Sequence, residues 1–259
     1  MKRVVLSISP HPDDELMGAP AALMALRDAG WRVVNLACSL GRPADAHRRR
    51  GELAAACRQA GFDLNIPDQL PPIGRDDDLE LARTALAAAI ETAITSYRAE
   101  LLIGPSPHDG HHGHEVVGRA MVDAVESLGQ PIAVMFWGLW SDLAVANVLA
   151  PFDADRLAEI QRALRCHEGE LGRNRYDRLL EARALANAVL GPERVFGHGT
   201  EGIEHEYAEL LMHVTWSAGQ RWRLTAPHLL DPPAPLGQEA GADLGWWLRA
   251  ESVAGRLRS

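Results

Sequence analysis

The chain predicts an α/β fold: a Rossmann-like, doubly wound and mostly parallel sheet with helices on both faces and a C-terminal α+β elaboration. Three observations predict it. Short, β-branched apolar runs alternate with helical patterns through the first 140 residues, Pro or Gly closes most of those runs, and the alternation breaks down after Trp140. Parallel strands need crossover connections, and the helices of those connections cover both faces of the sheet.

Residues 4–9 form an apolar run ended by Pro10 and predict the first strand, and over 20–29 Leu23, Met24 and Leu26 keep helical spacing until Gly30. Residues 31–40 are a second strand closed by Gly41. Residues 48–60 read as an Ala-rich helix stopped by Gly61, and 64–66 as a weaker extended segment. A helix over 79–97, a fourth strand over 101–104, a helix over 115–128 and a fifth strand over 132–137 continue the series. Beyond Trp140, helical stretches over 154–168 and 176–190 are separated by Gly169, Gly172 and Arg173. Extended segments over 208–215 and 221–225 follow, and a Pro- and Gly-rich stretch over 227–245 reads as a covering tail. With no repeat and no flexible linker, the expectation is one domain over 1–259. Residues 1–140 would be the core, and 141–259 the added helices, hairpin and tail.

A chain of 259 residues, 47% of them hydrophobic, buries a full core without disulfides. Asp and Glu number 35 against 26 Lys and Arg, a formal net charge of −9, so no basic field attracts a phosphate backbone and nucleic acid is not an expected partner. The apolar run after Lys2 and Arg3 is too short for a signal-peptide core or a membrane span, which predicts a cytoplasmic protein. Cys38, Cys57 and Cys166 are odd in number and widely spaced, and read as small buried apolar residues.

Open parallel sheets bind ligands at the carboxyl ends of their strands. After the first strand comes His11-Pro12-Asp13-Asp14-Glu15, and after the fourth His108-Asp109-Gly110-His111-His112-Gly113-His114, which packs four of the eleven histidines into seven residues. Catalytic zinc takes three nitrogen or oxygen ligands and keeps a fourth position for water. On a tight turn restrained by Pro12, His11 and Asp14 can face one side and leave Asp13 free toward the vacant position, with the third ligand drawn from the histidine cluster. Such a centre acidifies water and polarises a carbonyl. Each segment has an ordinary reading too: the carboxylates of a His-Pro-Asp-Asp turn cap helices, and a His-rich segment can be a solvated loop. Their joint placement after two strands of one sheet favours the metal.

These residues resemble the PIG-L/LmbE family of zinc-dependent N-deacetylases. SPHPDDELMG is similar to the family's first signature and HHGHEVVGRA to its second. RRRGELAAACRQAGF resembles its Arg-x-x-Glu helix, and EHEYAELL its Tyr-Ala-Glu segment. The resemblance implies that His11, Asp14 and His114 bind the metal, that Asp13 is the general base, and that His111 stabilises the oxyanion or protonates the leaving amine. It also implies a substrate role for Arg49. Zinc is the implied ion, with Fe2+ and other divalent metals as alternatives. The departure from the family is His112-Gly113 where the second signature has Pro-Asp, so the carboxylate that would orient a histidine is missing there. Asp109 and Glu115 are the replacements within reach.

The expected activity is hydrolysis of the N-acetyl group of a glucosamine-containing small molecule. The alternatives are an amidase cleaving a larger amide, as the mycothiol-conjugate amidases of the family do, and a non-catalytic metal-binding regulator on the same fold. Arg49 and Glu52 have the spacing of an i,i+3 ion pair, the ordinary alternative to a substrate role. The run Arg75-Asp76-Asp77-Asp78 precedes a helix and reads as its N-terminal carboxylates, with sugar recognition the alternative. Trp137 and Trp140 follow the fifth strand, where an aromatic face either stacks on a sugar or joins the core. His167, His198, His205, His213 and His228 read as structural or solvated.

Overall fold

The computed structural model describes residues 2–217, 219, 221–232 and 239–251. In chain order the elements are β1 (Val4–Ser9), α1 (Asp14–Met17), α2 (Pro20–Asp28), β2 (Arg32–Ala37), α3 (Ala46–Ala60), β3 (Asp63–Asn65), α4 (Leu79–Tyr97), β4 (Leu101–Pro105), α5 (His112–Leu128) and β5 (Ile132–Trp137). There follow β6 (Val148–Phe152), α6 (Ala154–Leu164), α7 (Glu168–Arg173), α8 (Tyr176–Phe196), β7 (Tyr207–Trp216), β8 (Trp222–Thr225), β9 (His228–Leu229), β10 (Glu239–Asp243) and α9 (Gly245–Leu248).

The main sheet runs β10-β8-β7-β5-β4-β1-β2-β3. From β5 to β3 all neighbours are parallel, with Val5 opposite both Val33 and Leu101. All six β1 residues are buried, because its two faces serve two cores. Val5 packs with α2, α3 and α6 on one side, while Val4, Leu6 and Ile8 pack with α4 and α5 on the other. A strand covered on both faces has no reason to alternate polar residues, which is why β4 and β5 read as continuous apolar runs and β1 departs from one only at the buried Ser7 and Ser9.

Chain reversal in order places β1 between β2 and β4. Successive crossovers leave the sheet centre in opposite directions, so the loops after β1 and β4 part and open a crevice. The antiparallel part begins at β7, whose second half pairs with β5 and whose first half pairs with β6. Glu209 on β7 has a specific task. Helix α2 starts with Ala19 as its flanking residue, which has no side-chain acceptor, and the free amides of Ala21 and Ala22 donate instead to Glu209 Oε1 and Oε2 at 2.7 and 2.9 Å. The Tyr207-Ala208-Glu209 segment is thus a helix cap supplied from 188 residues away.

Four local expectations change. Residues 14–17 are a one-turn helix rather than a plain turn, since Leu16 N donates to the Asp13 carbonyl at 2.9 Å. Helix α5 starts at His112, not 115, so the second motif is a helix N-terminus and not a solvated loop. Strand β6 was invisible as a separate element because Pro151 interrupts a short apolar run and its pairing partner lies far along the chain. Helix α8 continues through Gly191-Pro192 to Phe196; a Cβ at Gly191 would lie 2.6 Å from Leu149 Cδ1, so glycine there permits close packing of α8 on β6. Residues 233–238 of the expected covering tail lie outside the described residues, and on either side of them β9 and β10 are strands.

Candidate metal centre and active site

Two loops build the site. After β1 the chain turns tightly: His11 N donates to Asp14 Oδ2 at 2.8 Å, and Asp14 N donates to the His11 carbonyl at 3.2 Å. Between them Asp13 adopts φ 113°, a left-handed conformation that costs a non-glycine residue about 1–3 kcal/mol. Its amide donates to Glu15 Oε2 at 3.0 Å, and the preceding Pro12 carbonyl accepts from Arg49 Nη2 at 3.3 Å. Hydrogen bonds to charged groups contribute about 1.5–3 kcal/mol each, enough to offset that strain.

After β4, Asp109 is completely buried and accepts from three donors: His114 Nδ1 on Oδ2 at 2.7 Å, and Leu139 N and Trp140 N on Oδ1 at 2.5 and 3.2 Å.

 His114 Nε2 lies 3.3 Å from Asp14 Oδ2, which is also 3.2 Å from His11 Nδ1. Glu115 takes a separate part, accepting from Gly110 N at 2.9 Å. Of the two replacements within reach for the missing second-signature carboxylate, Asp109 is the one on His114. Gly113 itself has no room for a side chain, because a Cβ there would lie 2.8 Å from His11 Cε1 and 2.9 Å from His11 Nε2.

The charges are strongly coupled. Burial alone would lower the His114 imidazolium, but the Asp14 and Asp109 carboxylates outweigh it and hold it up at about 10. The same ion pair holds Asp14 well below the usual carboxylate range, against the upward push of its own burial. His111 goes the other way: burial, then the neighbouring His114, His11 and His112, push it down to about 3 and keep it neutral. Burial, reinforced by the Asp14 and Glu15 charges, raises Asp13 well above an ordinary aspartate.

The residues present fit a divalent cation. Ligand nitrogens of His11, His111 and His114 all lie within 4.8 Å of one another, and Asp14 Oδ2 sits between two of those rings. Asp109 on His114 Nδ1 leaves Nε2 to face the centre, the usual support for a metal-binding imidazole. His111 Nδ1 is buried without a partner. An all-nitrogen and oxygen donor set suits zinc and its divalent neighbours.

The centre opens into a cleft of about 1080 Å³ lined by Asp13, His111, Arg49, Trp140 and Tyr176, among others. Trp140 is 52% exposed, with its ring stacked 5.5 Å from that of His111, whereas Trp137 is buried with its ring 5.3 Å from that of His114. Arg49 does not pair with Glu52, which takes Arg48 at 2.6 Å; it pairs with Glu170 on α7 at 3.1 Å. Asp78 caps α4 by accepting from Leu81 N at 3.0 Å. His167, which has no informative spacing in the sequence, is fully buried and bonds Glu15 Oε1 at 2.6 Å. Only the buried acid next to the first motif could have hinted at that partner. Among the described residues no helix is long and apolar enough to cross a membrane.

Residues 6–125 match the PIG-L family, described as GlcNAc-PI de-N-acetylase. A probable N-acetyl-alpha-D-glucosaminyl L-malate deacetylase 2 of Bacillus cereus is 32% identical over 145 residues, covering 49% of this chain and 63% of that protein. Its namesake from Bacillus subtilis is 34% identical over 142 residues, covering 48% and 62%. The chain thus spans a little over three fifths of the length of the curated relatives it matches. The zinc-inhibited form of teicoplanin deacetylase Orf2 superposes with a TM-score of 0.63 at 16% identity, over 82% of this chain and 97% of that one, a likeness of fold.

Proposed function

We propose, from the match of residues 6–125 to the PIG-L family, that the chain is a metal-dependent amide hydrolase that removes the N-acetyl group from a glucosamine-containing small molecule. The observation that carries this reading is Asp13, buried in a left-handed turn between two candidate ligands and open to the cleft. His11, Asp14 and His114 would hold the ion, with zinc the first choice and Fe2+ an alternative. When bound, the ion supplies Lewis acidity for the acyl carbonyl and for water. Asp13, whose proton affinity burial raises above that of an ordinary aspartate, takes the proton of the attacking water and passes one to the departing amine. His111 is neutral, so its role is that of an N–H donor to the oxyanion rather than an acid. Trp140 offers a flat apolar face to a sugar ring at the cleft mouth. Arg49 acts next to the substrate through the Pro12 turn, which it contacts directly.

A second reading of the ligands makes His111 a metal ligand, favoured by the 4.8 Å grouping of the three imidazoles. Metal content of His111→Ala and Asp14→Ala separates the two: the first assignment expects loss only in the Asp14 variant. For the activity, the test is acetate release from a panel of N-acetylglucosamine conjugates by metal-loaded and metal-stripped protein. Metal-dependent acetate release supports the deacetylase. Cleavage of larger acyl amides alone would make it an amidase, and metal binding with no cleavage a regulator.

A further inference from the structure

The Pro12–Asp13 peptide unit is gripped at both ends. Its carbonyl accepts from Arg49 at 3.3 Å and its N–H donates to Glu15 at 3.0 Å. Both gripping ions are anchored at the same place, the start of α7: Arg49 by Glu170 at 3.1 Å, and Glu15 by His167, the residue flanking the helix N-terminus, at 2.6 Å. Glu15 and His167 are fully buried, and the Arg49 and Glu170 side chains are 11% and 10% exposed. Rotating this peptide plane is the backbone move that would release Asp13 from its positive φ, since the rotation changes ψ of Pro12 and φ of Asp13 together. The candidate ligands are held by other bonds. His11 and Asp14 are tied to each other, and His114 to Asp109.

We propose that α7 locks the base: His167 and Glu170 are positioning residues that, through Glu15 and Arg49, fix the orientation of the Pro12–Asp13 peptide and so aim the Asp13 carboxylate into the cleft. The proposal rests on the reading of Asp13 as the base. A buried Glu–His pair ordinarily serves packing alone. Here its second carboxylate oxygen lies on the amide of the strained residue, and a second ion pair from the same helix takes the other end of the same peptide.

The experiment compares His167→Leu, His167→Gln and Glu170→Leu in the full chain, measuring metal per chain, kcat and KM, and hydrogen exchange at the Asp13 amide. Misplacing a reacting group by about 1 Å can cost about 10²-fold, so His167→Leu should lower kcat by about that factor, with KM and metal content unchanged. The Asp13 amide should exchange at least about tenfold faster. His167→Gln keeps a side-chain donor for Glu15 and should recover most of kcat and of the protection. Glu170→Leu, at the edge of the cleft, should show the same direction of change and supplies the test if His167→Leu does not fold. Wild-type exchange and kcat in the Leu variants would overturn the lock, as would a kcat loss that follows metal loss. If the wild type hydrolyses no amide, the reading of the site fails, and the exchange data alone decide whether α7 holds the turn.

Discussion

The Asp109 carboxylate lies 2.7 Å from His114 Nδ1, entirely out of solvent, and thereby determines which ring nitrogen of His114 faces Asp14. Replacing it with Asn keeps an oxygen for the Leu139 and Trp140 amides but sets an amide donor against a ring that must itself donate. Asp109→Asn should therefore weaken metal binding by about 10–100-fold with little loss of thermal stability. Chelator competition reads the affinity, and an unchanged value would remove Asp109 from the site.

Asp13→Asn keeps the shape of the side chain and its hydrogen-bonding reach but cannot take a proton. It should retain metal and bind substrate with little change while losing at least about 10²-fold in kcat. Loss of metal would make Asp13 a ligand, and near-native turnover would end its role as the base.

Gly113→Ala places a methyl group 2.8 Å from a ring that Asp14 already holds. The His11 ring has to move, so metal affinity should fall although the substitution lies on a helix that tolerates alanine. Gly113→Asp, which restores the side chain usual in the second signature, should be worse than Gly113→Ala. Equal affinities across the three proteins would show that the contact is easily relieved.

Glu209 makes stability depend on pH. Burial lifts its carboxyl to about 7, although the Ala21 and Ala22 amides pull the other way. A carboxyl with a folded value above its unfolded one binds more protons folded than unfolded, so its contribution is full below about 4.5 and is lost as pH rises toward 7. At about 1.4 kcal/mol per unit, the loss is on the order of 3 kcal/mol. Denaturant melts at pH 5 and pH 8 should show it in the wild type, and Glu209→Gln should flatten that slope. A slope shared by both proteins would assign it to other groups.

The sheet core and the two loops of the site were legible because their information is local: apolar runs closed by Pro or Gly, and polar clusters placed at strand ends. Asp13, Asp14, His11 and His114 meet as the two motifs suggest, since neighbouring strands β1 and β4 carry them. What was not legible depends on partners far away in the chain. His167 meets Glu15 across 152 residues, and Glu209 meets α2 across 188, and no spacing rule reaches that far. Arg49 was legible as a residue of the site but not in its task, because the acid it pairs with is Glu170 on α7 and not Glu52 one turn away. Strand β6 escaped for a related reason, since its partner β7 lies some sixty residues downstream and Pro151 hides its period.

The cap that Glu209 places on α2, and the cover that β7 gives to β5, have a consequence for the order of events during synthesis. When residues 1–137 have left the ribosome, every strand of the parallel sheet is present, yet α2 still has bare amides and the fully apolar β5 has an open edge. An uncovered edge of that kind is where nascent chains pair with one another. The half of the chain that carries both loops of the candidate metal centre thus waits, unsealed, for a strand made some seventy residues later.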